Sequence, residues 1–224
     1  IIYQGLWRWG YCLIKSRNLR KKYQNRTDKT YDFVIMMRPD LRIKIGEEKK
    51  FKNSTSYQLS QVDGRGALLA ESRDSASALI KKVHIDIKKF PFFNWTWRIE
   101  TPLDIEDETR KSGDDYALRI YVVVDGGIFI WKTRAVNYVW ASQASKGDIW
   151  ENAFVGKNSM MMALRDKRDP SSVWRREKRN VYEDLKRLFG TGVHFIDAIA
   201  IMTDTDNAHG HAKAYYGDLF FSEK

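Results

Sequence analysis

The chain has 224 residues, 39 Lys+Arg against 29 Asp+Glu, and 43% hydrophobic and 13% aromatic residues. That length and apolar content suit one large all-β domain or a domain with an appendage, and exclude a disordered chain. A single cysteine, Cys12, excludes an internal disulfide framework and any multi-cysteine zinc site.

The net charge of +10 is unevenly spread. Residues 1–52 hold 14 Lys+Arg and 5 Asp+Glu, whereas residues 53–224 are nearly balanced. A nucleic-acid-binding fold carries its basic stripe on the folded body, so this distribution argues against nucleic acid as a partner. No run of about 18 apolar residues is present, so no membrane span is expected. The opening Ile1-Ile-Tyr-Gln-Gly-Leu-Trp-Arg-Trp9 lacks the apolar core of a signal peptide and is read as belonging to a fragment or to a chain that starts upstream.

In chain order, Leu6, Trp9, Leu13, Ile14 and Leu19 recur near helical spacing among Lys and Arg, which predicts a basic amphipathic helix over 5–24. Asn25–Thr30 is a break, and Tyr31–Met37 reads as a short buried strand stopped by Arg38-Pro39. Residues 1–45 are therefore expected to be a helix-strand extension, and 46–224 the main domain. From residue 53 onward, short apolar runs alternate with turn residues, the spacing of a β-sandwich or barrel. Strands are predicted at 56–60, 67–71, 78–86, 93–100, 116–124, 136–141, 159–164, 173–176, 195–203 and 213–222. Trp95, Trp97 and Ile99 alternate with Thr96 and Arg98, which places the two indoles on one face together with Phe93. One helix is predicted at 180–189, with Asn180 as N-cap, Glu183 three residues on and Gly190 as its stop.

Several blocks resemble the DUF3047 family of bacterial proteins. They are Trp95-x-Trp-Arg-x-Glu100, Ser112-Gly-Asp-Asp-Tyr-Ala-Leu-Arg-x-Tyr121, Asn137-Tyr-Val-Trp-Ala-Ser142, Trp174-x-x-Glu-x-Arg179, Asp184-x-x-x-Leu-Phe-Gly190, Ile199-Ala-Ile-Met-Thr-Asp-Thr-Asp-Asn207 and Ala214-Tyr-Tyr-Gly-Asp218. They span residues 53–222 in order. The resemblance implies a jelly-roll, galactose-binding-like sandwich of the kind that serves in carbohydrate-binding modules, an analogy of fold that does not fix function. A shorter stretch, residues 5–41, resembles bacterial glycosyltransferase-like proteins that carry a Tyr-Asp-x-Val-Ile-Arg-x-Arg-Pro-Asp-Leu strand end. Met36 stands where that pattern has Arg, and the segment is read as a gene-fusion remnant.

The residues with chemistry to offer cluster at predicted strand ends. Asp114 and Asp115 precede a strand on which Arg119 and Tyr121 share a face, and Asp204 and Asp206 lie two apart past the run 195–203. Asp204, Asp206 and Asn207 supply oxygens of the kind that Ca²⁺ takes, which makes a Ca²⁺ site at Asp204 and Asp206 one candidate. The competing expectation is that these carboxylates cap turns or pair with Arg98, Arg119 and Arg179. Glu100, Asp114, Asp115, Glu177, Asp204 and Asp206 also offer pairs for glycosidase chemistry, though no spacing selects one. His209 and His211 sit in a Gly-containing loop with no third imidazole beside them and are read as solvated loop residues. Trp131, Trp140, Trp150 and Trp174 fall near strand or loop ends, where exposed rings stack on sugars; the alternative for each is the edge of the core.

The sequence therefore leads to non-catalytic recognition of a carbohydrate or other polyhydroxylated ligand, a role suited to the cell envelope. Asp114, Asp115, Arg119, Asn137, Trp140, Asp204, Asp206 and Asn207 are its expected binding residues. The alternatives are a glycosidase-type hydrolase and an interaction domain without a small ligand.

Overall fold

A computed structural model describes residues 34–35, 53–127, 132–190 and 193–224. The basic helix expected over 5–24, most of the 5–41 resemblance and Trp131 lie outside the described residues. Among the described residues the protein is mainly β, with two six-stranded sheets and one α-helix.

The first sheet runs β10 (Arg175–Asn180), β5 (Phe92–Thr101), β12 (His211–Ser222), β3 (Arg65–Arg73) and β2 (Ser56–Val62). β3 pairs with β12 as far as Tyr216, and β1 (Val34–Ile35) pairs with Phe220 and Leu219 beyond that stop. The second sheet runs β4 (Ala76–Asp86), β11 (Phe195–Asp204), β6 (Arg119–Val124), β7 (Arg134–Trp140), β9 (Gly156–Arg165) and β8 (Ile149–Asn152). All pairings are antiparallel except β7–β9. The chain leaves β7, forms the outer strand β8 and returns through a hairpin as β9 between the two, which makes β9 run parallel to β7.

The alternation read on β5 is what joins the sheets. Phe93, Trp95 and Trp97 are all buried. Phe93 stacks on Phe221 at 4.6 Å, and Trp95 reaches across to Tyr138 of the other sheet at 5.3 Å. Large rings at these offsets supply both buried apolar area and directional contacts. Tyr216 crosses the layer with a polar tip: its hydroxyl donates to Met202 O at 2.5 Å and accepts from the Arg119 amide at 3.2 Å. Beside it, Gly217 is obligatory, because a Cβ there would come within 2.0 Å of Thr96 Oγ1. The β12–β5 register shifts at this point, between Tyr216 and Leu219.

The helix α1 (Val181–Phe189) starts where its cap predicts, with Asn180 Oδ1 accepting from the Glu183 amide at 3.1 Å. Gly190, at φ 87°, closes it with its N–H on Lys186 O. Val181 and Leu185 are buried in the main core, and Asp184 accepts from the Tyr138 hydroxyl at 2.7 Å. No helix among the described residues is long and apolar enough to cross a membrane.

Three strands differ from the sequence reading. β10 covers Arg175–Asn180 and shares only 175–176 with the predicted 173–176, because its run of charged residues carries no apolar signal. β8 is four residues long and lies at a sheet edge, too short to show a period. β6 starts at Arg119 and not at Tyr116, because Tyr116 to Leu118 turn aside to bond neighbouring chain ends: Tyr116 O accepts from the Asp204 amide, and Leu118 O from the Trp140 amide.

Candidate functional site

β6 begins and β11 ends at the same end of the second sheet, with Arg119 opposite Met202 in register. The segments 114–118 and 204–208, about ninety residues apart in sequence, therefore lie side by side. The Asp204 amide donates to Tyr116 O at 3.1 Å, and the Tyr116 amide returns a bond to Asp204 Oδ1 at 3.2 Å. Asp115 crosses to the other loop, where its carboxylate accepts from the Asn207 amide, the Asn207 side chain and the Ala208 amide at 2.6–3.2 Å. Asp114 accepts from Asn152 Nδ2 at 2.9 Å, which adds the end of β8 to the same corner.

Arg119 stands at the centre of this corner and is almost fully buried. Its guanidinium lies between the rings of Tyr116 and Tyr121, 5.0 and 4.6 Å from their centroids. Its Nη1 is 3.6 Å from Asp114 Oδ1 and 3.7 Å from Asp204 Oδ2, and its Nε donates to Asn137 Oδ1 at 3.4 Å. Asn137 in turn donates to Ser159 Oγ and Met160 O. A polar chain thus runs across β11, β6, β7 and β9, from the carboxylates to Ser159.

The electrostatics of the corner are strained. Asp114, Asp115 and Asp204 are buried and Asp206 half-buried, and the Arg119 guanidinium lies near Asp114 and Asp204. Burial pushes the Asp204 carboxyl well above the usual range; Arg119 opposes this, and Asp115, Asp114 and Asp206 add to it. Burial also raises Asp114, against the pull of Arg119 and Asn152. The cause in both cases is desolvation of the charged form, reinforced by like charges.

Seven of the eight expected binding residues therefore meet in one network: Asp114, Asp115, Arg119, Asn137, Asp204, Asp206 and Asn207. The eighth, Trp140, does not. It is 4% exposed, its ring lies 6.1 Å from that of Trp97, and its indole N–H donates to Asp166 O at 3.0 Å. Val136, Tyr138 and Trp140 alternate along β7 toward the core, so its ring offers no face to a ligand. Trp150 packs against the smaller cluster of Tyr116, Val139 and Met161, and Trp174 lies near Tyr215.

Of the three arginines expected as partners of these carboxylates, Arg119 takes that role. Arg98 pairs with Asp63 and Glu100, and Arg179 with Asp184. Glu177 receives the Trp97 indole N–H and Arg165. The histidines also turn elsewhere: exposed His209 meets Asp74 at 2.7 Å, and half-buried His211 meets Glu71 at 3.0 Å.

Sequence reasoning passed over Asn152, Tyr116 and Ser159, and also Phe154. Phe154 is 39% exposed on a loop whose amides bond Asn152 Oδ1, and Lys111 lies over its ring at 5.5 Å. Lys111 begins the 3-10 turn Lys111–Gly113 that leads into Asp114, so this ring stands on the rim of the acidic corner. Among the described residues, those that could hold a metal ion are Asp115, Asp204 and Asp206, each with an oxygen within 4.8 Å of the others'.

The molecule is thus a β-sandwich with a buried acidic network at one end of its second sheet. The chain belongs to the family described as a protein of unknown function, DUF3047, whose model matches residues 46–220. Among solved structures it is similar to the xyloglucanase domain of NopAA, a type three effector from Sinorhizobium fredii, determined in complex with cellobiose. That likeness covers 77% of this chain and 94% of that one, at 7% identity and a TM-score of 0.38. No curated protein matches the chain.

Proposed function

We propose that this protein binds a carbohydrate or another polyhydroxylated ligand, without catalysis, at the rim of the acidic corner. The observation that carries the reading is the convergence of Asp114, Asp115, Asp204, Asp206 and Asn207 beside an exposed aromatic ring, Phe154. Hydroxyl groups of a sugar donate to carboxylates and accept from Asn or Lys, while the C–H face of its ring packs on an aromatic side chain. A few convergent polar groups next to an aromatic is the usual make-up of a small-ligand site. Half-buried Asp206 and Asn207 supply the accessible polar groups, and Lys111 flanks the ring.

Glycosidase chemistry fits less well. It needs two carboxyl groups facing each other across a cleft, about 5–10 Å apart. Here oxygens of Asp115, Asp204 and Asp206 lie within 4.8 Å of one another, and Asp115 and Asp204 already accept backbone N–H groups.

The test is retention of the full chain on a broad polysaccharide array, followed by affinity measurements for any hit. Phe154→Ala is expected to weaken binding about tenfold, the value of one aromatic anchor. The reading is overturned by no retention across the array, or by affinity unchanged in both Phe154→Ala and Asp206→Asn.

A further inference from the structure

The face of the first sheet that points away from the sandwich carries its own set of aromatic and charged groups. Trp95, Trp97 and Ile99 of β5 and Ala214, Tyr216 and Leu219 of β12 lie in the core. The residues between them, Thr96 and Arg98 on β5 and Tyr215 and Asp218 on β12, therefore face outward. Register sets two rows across this face. Tyr215 lies opposite Arg98, and Arg176 of β10 lies opposite Thr96. Trp174, two residues before Arg176, brings its half-buried ring to 6.3 Å from that of Tyr215. Asp218 falls in the register shift beside Thr96, with Arg176 toward the β10 side and Arg65 toward the β3 side.

The charges of this face are mostly basic. Arg98 is engaged by Asp63 and Glu100, and Glu71 by Arg73 and His211. Arg65 and Arg176 are exposed, and neither forms a salt bridge among the described residues. Exposed Lys178, opposite Asn94 and 4.4 Å from the Phe92 ring centroid, extends the basic side of the strip. Asp218 is half-buried, and among the described residues its carboxylate accepts no hydrogen bond. Burial raises its carboxyl above the usual range, and Arg176 and Arg65 oppose that shift. We propose that this face binds a polysaccharide that carries carboxylate groups, a polyuronate. The guanidinium groups of Arg65 and Arg176 match ligand carboxylates in charge and in planar geometry. Trp174 offers a ring for the C–H face of a sugar, and Asp218 accepts its hydroxyl groups. A carboxylate in the middle of the strip repels a phosphate backbone, whereas a uronate presents hydroxyl groups to it; this favours a sugar polymer over a nucleic acid.

The strip lies on the first sheet and the acidic corner on the second, so this inference does not rest on the polyol reading. The experiment measures equilibrium binding of the full chain to polygalacturonate, to uncharged dextran and to oligo(dT), each at two ionic strengths. Polygalacturonate should bind more tightly than either other polymer, and added salt should weaken it. Arg65→Ala and Arg176→Ala should each cost about tenfold in affinity, the weight of one charge-assisted hydrogen bond. Arg110→Ala removes the same charge from an exposed loop pair with Asp107 and should cost about twofold at most. Asp218→Ala should weaken binding through loss of its hydroxyl acceptor. Tighter binding in Asp218→Ala would show that charge alone attracts the polymer and would overturn the inference. So would no binding of polygalacturonate, equal or tighter binding of oligo(dT), or an Arg110→Ala loss as large as that of Arg176→Ala. Neutral-sugar binding that depends on Phe154, with no binding of polygalacturonate, would leave the polyol reading intact while this one fails.

Discussion

Two buried acidic regions of this protein are built in opposite ways. Glu108 is 1% exposed, and its carboxylate accepts the backbone N–H groups of Ser142, Gln143 and Ala144 at 2.6–3.0 Å. Asp166 is similarly served by the Arg168 guanidinium and by the Lys146 and Arg168 amides, which hold its carboxyl well below the usual range. At the acidic corner Asp114 and Asp204 share one distant guanidinium, and burial drives both upward. Where donors outnumber charges, a buried carboxylate is a rivet that holds loops in place. At the corner, the Arg119 guanidinium stands 3.6 and 3.7 Å from Asp114 and Asp204, and desolvation of their charged forms prevails.

The contrast can be broken most forcefully at its structural half. Glu108→Ala removes one acceptor group and strands three backbone donors. Unmade hydrogen bonds of buried groups cost about 1–3 kcal/mol each, so a loss of about 3 kcal/mol or more is expected in urea unfolding. A loss below about 1 kcal/mol would mean that water replaces the carboxylate readily.

Asp166 gives a smaller effect with a defined pH window. Its folded pKa is depressed, so its stabilisation is fully present above the ordinary carboxylate pKa of about 4 and fades as pH falls below it. Asp166→Asn should therefore be less stable than wild type at neutral pH, and the gap should close toward pH 2 in acid titrations followed by circular dichroism. A gap that stays constant with pH would show that the charge of Asp166 plays no part.

Phe154→Ala should give the smallest change in stability, within about 0.5 kcal/mol, as expected for a surface substitution. It separates function from folding, because the same change is expected to weaken ligand binding. A large fall in Tm would place Phe154 in the fold and not on a binding rim.

Much of this architecture was legible in the sequence because its signals are local. The alternation Phe93-x-Trp95-x-Trp97 does define the core face of β5, and Asn180, Glu183 and Gly190 do bound the helix. The run 195–203 is β11 to within a residue. The pairing of Asp115 with Asn207 was not legible, since it depends on the β6–β11 register and no local pattern sets that. β8 was missed because four residues show no period, and its end supplies Asn152 to the corner. Glu108 sits in an unpatterned loop and bonds amides more than thirty residues away. Trp140 was readable in principle: it continues the inward alternation of Val136 and Tyr138, a signal that its position at a strand end concealed.

The most direct test is the unfolding free energy of Asp204→Asn in metal-free buffer. Asn retains an oxygen for the Tyr116 amide, and removing one carboxylate leaves Arg119 still beside Asp114. If burial of the Asp204 charge outweighs its pairing with Arg119, the variant should be as stable as wild type or more so, since Arg119 keeps Asp114 as its partner. A loss of about 3–5 kcal/mol, the mark of breaking a balanced buried ion pair, would show that the network is structural and would contradict its reading as a site.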